Sequence, residues 1–528
     1  MGTDGILRRV PFKKRIRKEE VQVKRNYLLL CFMVGVFLFT GLTAAFGNTP
    51  GYLEEGQECY MILVGKDASA DGSILLAHNN DLYGNEASMI EKFPRMKHNP
   101  GDVVKFPSGL EIPQASETYE WMVLRIFSGF AAGDAVAINE YGVAIAGGVA
   151  QGGDRNKKGV EVDPLIKKGL NGGVRYIALE RSKTARECVE LMGQLYTQYG
   201  VTYPSGVGVA DSKEVWYIEA GGGHQWAAVR VPDDSYLAIA NAYRIGEIDI
   251  NDKANFLAGP NLLDFAKEKG LWDPAKGPFN FAKAFGGGRV NENPYYDSRR
   301  VWRGQQLLSP GVKLNPDEKE LPIFLKPDEK VTVKKLIGVL RDTYAGTPYE
   351  IYPAKGNGSL ERAIAVPPCI HTDVIQLRSW LPNDIGSILW GALGSPLTTP
   401  YIPFYFGIFD TPKAYKTASG SYDPVSAFWV NLSLQQLVIP YYNHLIGDVL
   451  PVWEKFEGDA FASQDVLEKA ALELYNKDKG MGKSLLTSYS NGLAMTALQK
   501  TEDLTVSIKT KLAQNSCYWT SRIFIDTD

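Results

Sequence analysis

Hydrophobic and polar positions are unevenly spread along the 528 residues. Residues 27–47, YLLLCFMVGVFLFTGLTAAFG, form an apolar run without a charged side chain. Residues 48–58 are short, rich in Gly and Glu and without periodicity, which reads as a linker. The pattern then changes. Residues 59–64 predict an apolar strand, 66–73 a turn region containing Asp71-Gly72, and 73–79 a second strand. Asn139-Glu140-Tyr141-Gly142 predicts a hairpin turn between runs at 135–138 and 143–149. Three more strands are expected at 215–220, 225–231 and 236–242. Between these groups Cys188, Leu191, Met192 and Leu195 step by three and four, the period of a helix with one buried face. Thr184 and Glu187 form a capping box at its start, and Gly200 stands where a C′ glycine would end it. Cys188 is thus read as a core residue. Residues 250–345 mix loops and short helices, and 466–512 read as helical. Strands, a helical layer, then more strands imply an α+β fold, a layered αββα body with a helical C-terminal extension.

Charge sharpens the N-terminal reading. Residues 1–26 hold nine Lys and Arg against three acidic residues. A basic flank before an apolar run is a topology signal, with the positive end kept in the cytoplasm and the following chain carried across. The run is long enough to span a bilayer, which takes about 20 residues. Its small residues Ala44, Ala45 and Gly47 also suit a signal-peptidase site. Export is expected, with residues 27–47 as signal peptide or membrane anchor. The expected segments are therefore 1–26 basic, 27–47 apolar, 48–58 propeptide or linker, 59–454 main domain and 455–528 helical extension.

Composition narrows the chemistry. Length alone would allow about three domains. Hydrophobic residues at 45% and charged residues at 22% exclude disorder, collagen and a polytopic membrane protein. A formal net charge of −3 gives no sign of a nucleic-acid partner. Five cysteines (Cys31, Cys59, Cys188, Cys369, Cys517) form no CxxC pair. Five histidines (His78, His98, His224, His371, His444) show no HxxxH or HExxH spacing. No disulfide framework, metal or cofactor is therefore expected. The run Gly286-Gly287-Gly288 lacks the Lys-Ser/Thr ending of a phosphate loop. Asn357 and Asn431 lie in N-x-S sequons.

The string CYMILVGKDASADGSILLAHNND, Cys59 to Asp81, resembles the opening of the mature PepD-type dipeptidases, the family that includes the secernins, within the N-terminal-nucleophile hydrolases. Further motifs follow in order: NEYGVAI from Asn139, WYIE from Trp216, GHQWAAVRVPDD from Gly223, ANAYRIG from Ala240, SRRVWR from Ser298 and QLRSWLP from Gln376. The resemblance runs from residue 59 to about 450. It implies the four-layer αββα sandwich of that superfamily, a cysteine peptidase acting on small peptides, and a propeptide ending at Glu58. A thiol ordinarily titrates near pH 8.5 and an α-amine at about 7.7–8.0, so a Cys59 freed at its N-terminus carries its own general base. The same resemblance gives Asp81 the task of orienting the amine or thiol and Asn241 that of oxyanion donor. It makes Arg299 the arginine that favours the thiolate.

Position 78 departs from the pattern: relatives usually carry arginine, and this chain has His78, kept as a site residue able to donate a hydrogen bond. Bile-salt and penicillin amidases have a second oxyanion asparagine where this chain has Gly147-Gly148-Val149, leaving only a backbone N–H. Three functions stay open at this level. They are an exported cysteine dipeptidase, an amidase for a non-peptide amide, and a membrane-anchored member without catalysis. The oligomeric state is equally open, a homo-oligomer included.

Overall fold

The computed structural model describes residues 58–82, 86–128, 135–150, 157–286, 297–318, 320–355 and 357–515. The basic segment, the apolar run and the linker up to residue 57 lie outside the described residues. Among the described residues no helix is long and apolar enough to cross a membrane.

Fourteen strands in two sheets carry the architecture. In chain order they are β1 (Glu58–Val64), β2 (Ile74–Asp81), β3 (Ser88–Phe93), β4 (Trp121–Ile126), β5 (Ala135–Asn139), β6 (Ala144–Ala150) and β7 (Ser205–Ala210). Then come β8 (Val215–Ala220), β9 (Trp226–Arg230), β10 (Tyr236–Ile239), β11 (Phe256–Ala258), β12 (Cys369–Leu377), β13 (Ser387–Ala392) and β14 (Ile402–Tyr405). A six-stranded antiparallel sheet has the order β10-β1-β2-β12-β13-β14, and an eight-stranded one β11-β9-β8-β7-β6-β5-β4-β3. Two short two-stranded sheets, 96–97 with 117–118 and 103–105 with 111–113, complete the list among the described residues.

All eight residues of β2 are buried, so both its faces are covered. A strand covered on both faces loses the alternation of a half-exposed one, which is why its sequence reads as an apolar run. One face lies against the eight-stranded sheet, where β1 packs on β6. The approach is close enough to need glycine: a Cβ on Gly208 would stand 2.6 Å from Leu63 Cδ2. The opposite face is covered by helices.

Helix α1 (Ala185–Tyr199) lies on the eight-stranded sheet, burying Cys188, Met192 and Leu195 in a cluster with Trp216, Ile218 and Trp226. Its caps are those read in the sequence. Thr184 Oγ1 accepts from the Glu187 amide at 3.2 Å, and Gly200 ends the helix at φ +66°. The six-stranded sheet is covered by α2 (Ser298–Leu308) beside β10 and α3 (Val333–Leu340) over β2 and β12. Helix α4 (Ala427–Val438) follows, and then the run expected at 466–512 proves to be two helices. These are α5 (Tyr442–Lys477) and α6 (Lys479–Gln514), separated at Asp478, whose carboxylate accepts from the Met481 amide at 3.2 Å.

The expected boundary at 454/455 falls inside α5, and the described residues belong to one compact unit. The fold is thus α+β, with its C-terminal helices built into the body. Asn431 is buried and donates from Nδ2 to Leu393 O at 2.8 Å, so that sequon is not a surface acceptor.

Candidate functional site

Cys59 is the second residue of β1 and is buried. On one side it pairs with Asn80 of β2. On the other, β1 and β10 pair up to Met61 and Ile239, and continuing that register two residues brings Asn241 level with Cys59. Helix α2 supplies the third side. Arg300 donates from Nη1 to Cys59 O at 2.9 Å and from Nη2 to Asn241 Oδ1 at 2.8 Å. An amide whose oxygen accepts from a guanidinium has its Nδ2 end fixed as the donor, the polarity an oxyanion site needs.

The loop after Asn241 is held equally firmly. Glu219, the acid of the WYIE string, accepts from the amides of Arg244 at 2.7 Å and Ile245 at 3.1 Å. Tyr243 donates to Ala220 O at 3.0 Å. The two motifs therefore act as one unit: one strand end carries a carboxylate that pins the turn bearing Asn241.

Asp81 pairs with Glu58 in the β1–β2 register, level with the peptide bond that precedes Cys59. Its Oδ2 accepts from Arg362 Nη2 at 2.8 Å, a pair in which Asp81 is 2% and Arg362 17% exposed. β1 begins at Glu58, one residue before the start expected from the sequence, so the last expected linker residue is already in the ladder.

The arginine expected at Cys59 is displaced by one. Arg299 points away, to Asp317 at 2.7 Å, to Glu361 and over the ring of Tyr349 at 4.2 Å. On an α-helix adjacent residues are turned about 100° apart, so only one of the SRR pair can face the sheet, and Arg300 is that residue. Arg300 is fully buried and Arg299 is not.

His78 sits two residues before Asn80, opposite Met61 on β1 and Asp373 on β12. It is fully buried, and burial, then the nearby charge of Arg175, lowers its pKa to about 3. The ring is neutral at neutral pH. Its Nδ1 stands 3.4 Å from Asp373 Oδ1, and a Cβ on Gly147 would meet its Cε1 at 2.7 Å. Burial raises the Asp373 carboxyl well above the usual carboxylate range.

Residues not singled out in the sequence complete the surroundings. Cys59 Sγ donates to Asn80 Oδ1 at 3.5 Å. Asn80 Nδ2 lies 3.2 Å from His371 Nε2, whose other nitrogen is 2.9 Å from Ser88 Oγ. Burial holds the His371 pKa well below its ordinary value. Asn80 is one residue from the Asp81 that the motif marks, and Arg300 one residue from Arg299. His371 and Asp373 carry no local signal, because their partners lie about 290 residues away. Among the other described cysteines, burial pushes Cys188 up to about 12 and Cys369 well above its ordinary value. Neither is a reactive thiol.

Sequence comparison identifies the family. The family model for peptidase family C69 matches residues 58–455. A probable dipeptidase of Salmonella dublin is 33% identical over 356 residues, covering 66% of this chain and 81% of that protein. A probable dipeptidase of Latilactobacillus sakei is 30% identical over 394 residues, 73% of this chain and 81% of its own. Probable dipeptidase B of Lactococcus lactis is 30% identical over 385 residues, 71% and 79% respectively.

Proposed function

The chain belongs to peptidase family C69 and is a peptidase, and from that premise we propose that it is an exported cysteine dipeptidase acting through an N-terminal Cys59. The proposed fold is the four-layer αββα sandwich of the N-terminal-nucleophile hydrolases. In this reading the bond between Glu58 and Cys59 is cleaved, and the released α-amine takes the proton of the Cys59 thiol. The thiolate attacks the substrate carbonyl carbon, and the oxygen becomes an oxyanion facing Asn241 Nδ2. As the tetrahedral centre collapses, the α-ammonium returns its proton to the departing amine and a thioester remains. Water, deprotonated by the same amine, hydrolyses the thioester and restores the thiol. Asp81 holds the amine, and Arg300 holds both the Cys59 carbonyl and the amide of Asn241. Residues 27–47 carry the chain out of the cytoplasm as signal peptide or anchor.

One observation carries this reading: Arg300 bridges Cys59 O and Asn241 Oδ1, tying nucleophile and oxyanion donor into one rigid unit. The test is the N-terminus of the natively expressed protein, by intact mass and peptide mapping, with dipeptide hydrolysis measured on the same sample. A chain starting at Cys59 is expected, with hydrolysis lost in Cys59→Ser by roughly 10³-fold or more. A chain that keeps residues 48–58 and cleaves no dipeptide overturns the proposal in favour of a non-catalytic, membrane-anchored protein.

A further inference from the structure

Between the two sheets, next to the Cys59–Asn80 pair, lies a group of side chains that the proposed reaction does not use. His78, His371 and Asp373 are all fully buried, and one ligand atom from each lies within 4.8 Å of the others. Neither nitrogen of His78 and neither oxygen of Asp373 has a hydrogen-bond partner among the described residues. Four orphaned polar atoms on two facing residues are rare in a folded protein. Each buried polar group left unpaired is destabilising, so such a cluster calls for something that fills it.

One pair of these atoms has the spacing that a shared ion would impose. At 3.4 Å, His78 Nδ1 and Asp373 Oδ1 are farther apart than a good hydrogen bond allows. Two ligands held at ~2.0–2.1 Å by one tetrahedral ion are about 3.3 Å apart. The third ligand comes with its support already in place. Asn80 holds one ring nitrogen of His371 at 3.2 Å and Ser88 the other at 2.9 Å. An ion would replace one of these bonds, while the other stays as the outer contact that fixes the tautomer, the usual arrangement of a metal-bound histidine.

We infer that His78, His371 and Asp373 form a buried site for a zinc-class divalent cation, beside the nucleophile and separate from it. Two neutral imidazoles and one carboxylate, with room for a fourth ligand, are a donor set that zinc accepts. The ion would supply the positive charge that the buried Asp373 lacks. Arg175, whose charge reaches His78, opposes a second cation there. The ion is therefore held more loosely than in a four-ligand structural centre, and a strong chelator removes it. The sequence conceals this site because its ligands stand on β2 and β12, which meet only in the folded sheet.

The test measures metal content and needs no assay of hydrolysis, so it is independent of the peptidase reading. The full chain is produced with zinc supplied, purified, and analysed by elemental mass spectrometry. About one zinc per chain is expected, falling at least tenfold in Asp373→Asn and in His78→Leu and unchanged in Cys59→Ala. Cobalt added to the chelator-treated wild-type protein should give the visible absorption of a nitrogen- and oxygen-ligated ion, a readout that holds even where a variant folds poorly. Zinc-free protein with no cobalt spectrum overturns the inference. So does zinc that survives Asp373→Asn or disappears in Cys59→Ala, since the ion would then sit on the thiolate.

Discussion

At the scale of single residues, neighbours in sequence have opposite tasks. Arg299 and Arg300 are adjacent, yet one forms an ion pair with partly exposed acids and the other is fully buried against Cys59 and Asn241. Arg300→Met removes the charged donor that Arg300 gives to two buried acceptors, a loss on the order of 1–3 kcal/mol each, and loosens the hold on the amide of Asn241. Its kcat/KM on a dipeptide should fall by roughly 10²-fold or more, the scale of losing one oxyanion donor. Arg299→Met should leave turnover within a few-fold.

A second residue sets a pH dependence. Burial, the largest influence, raises Glu180 to a pKa of about 7, with Arg181 only partly offsetting it at 3.7 Å. The folded chain then keeps a proton that the unfolded chain gives up from about pH 4.5. Stability from this group is full below that pH, falls as pH rises to about 7 and is flat above. Glu180→Gln should therefore be more stable than wild type at pH 8, by at most about 3 kcal/mol, with the gain gone at pH 4. Denaturant midpoints of both proteins at the two pH values measure this.

At the scale of elements, the site depends on how closely α2 lies on β1. Gly304 faces Tyr60, and a Cβ there would stand 1.8 Å from the tyrosine Oη. Tyr60 is fully buried, so it has little room to yield. Gly304→Ala gains up to about 1 kcal/mol of helix propensity. Overpacking of a closed core costs about 1–3 kcal/mol and pushes the helix outward. Because Arg300 rides on that helix, the variant should lose activity by a larger factor than its loss of thermal stability would explain. Comparing kcat/KM with the unfolding midpoint of the same preparation separates the two. An unchanged kcat/KM would show that α2 is not what sets the position of Arg300.

At the scale of the whole molecule, the C-terminal helices are part of the catalytic body. Glu457 on α5 accepts two bonds from Arg341, at 2.8 and 2.7 Å, and one from the Tyr401 amide at 2.9 Å. Glu468 takes Arg378 at 2.6 Å and Tyr405 at 2.9 Å. Removing one member of such a buried pair leaves its partner charged in the interior, typically a loss of about 3–5 kcal/mol. Glu457→Ala should destabilise the entire chain by that amount in a single unfolding transition. Separate transitions for body and helices would show that α5 and α6 are an independent unit.

Much of this molecule is legible before folding is considered. The apolar runs and caps place β1, β2, β8, β10 and α1, because each depends on residues within one turn or one strand of each other. The ordered motifs from Cys59 to Gln376 fix the family, and with it Cys59, Asp81 and Asn241 as site candidates, since chemistry at a nucleophile tolerates few side chains. Three things were decided only in space. Rotation about the axis of α2 chose Arg300 over Arg299. The insertion of β12 between β2 and β13 brought His371 and Asp373 to His78 and Asn80 from about 290 residues away. Buried ion pairs joined helix α5 to a body whose boundary the sequence had drawn at 454. A local pattern reports the interactions of a residue with its chain neighbours, whereas strand order and helix rotation are set by packing between distant segments, for which no short string of residues carries a sign.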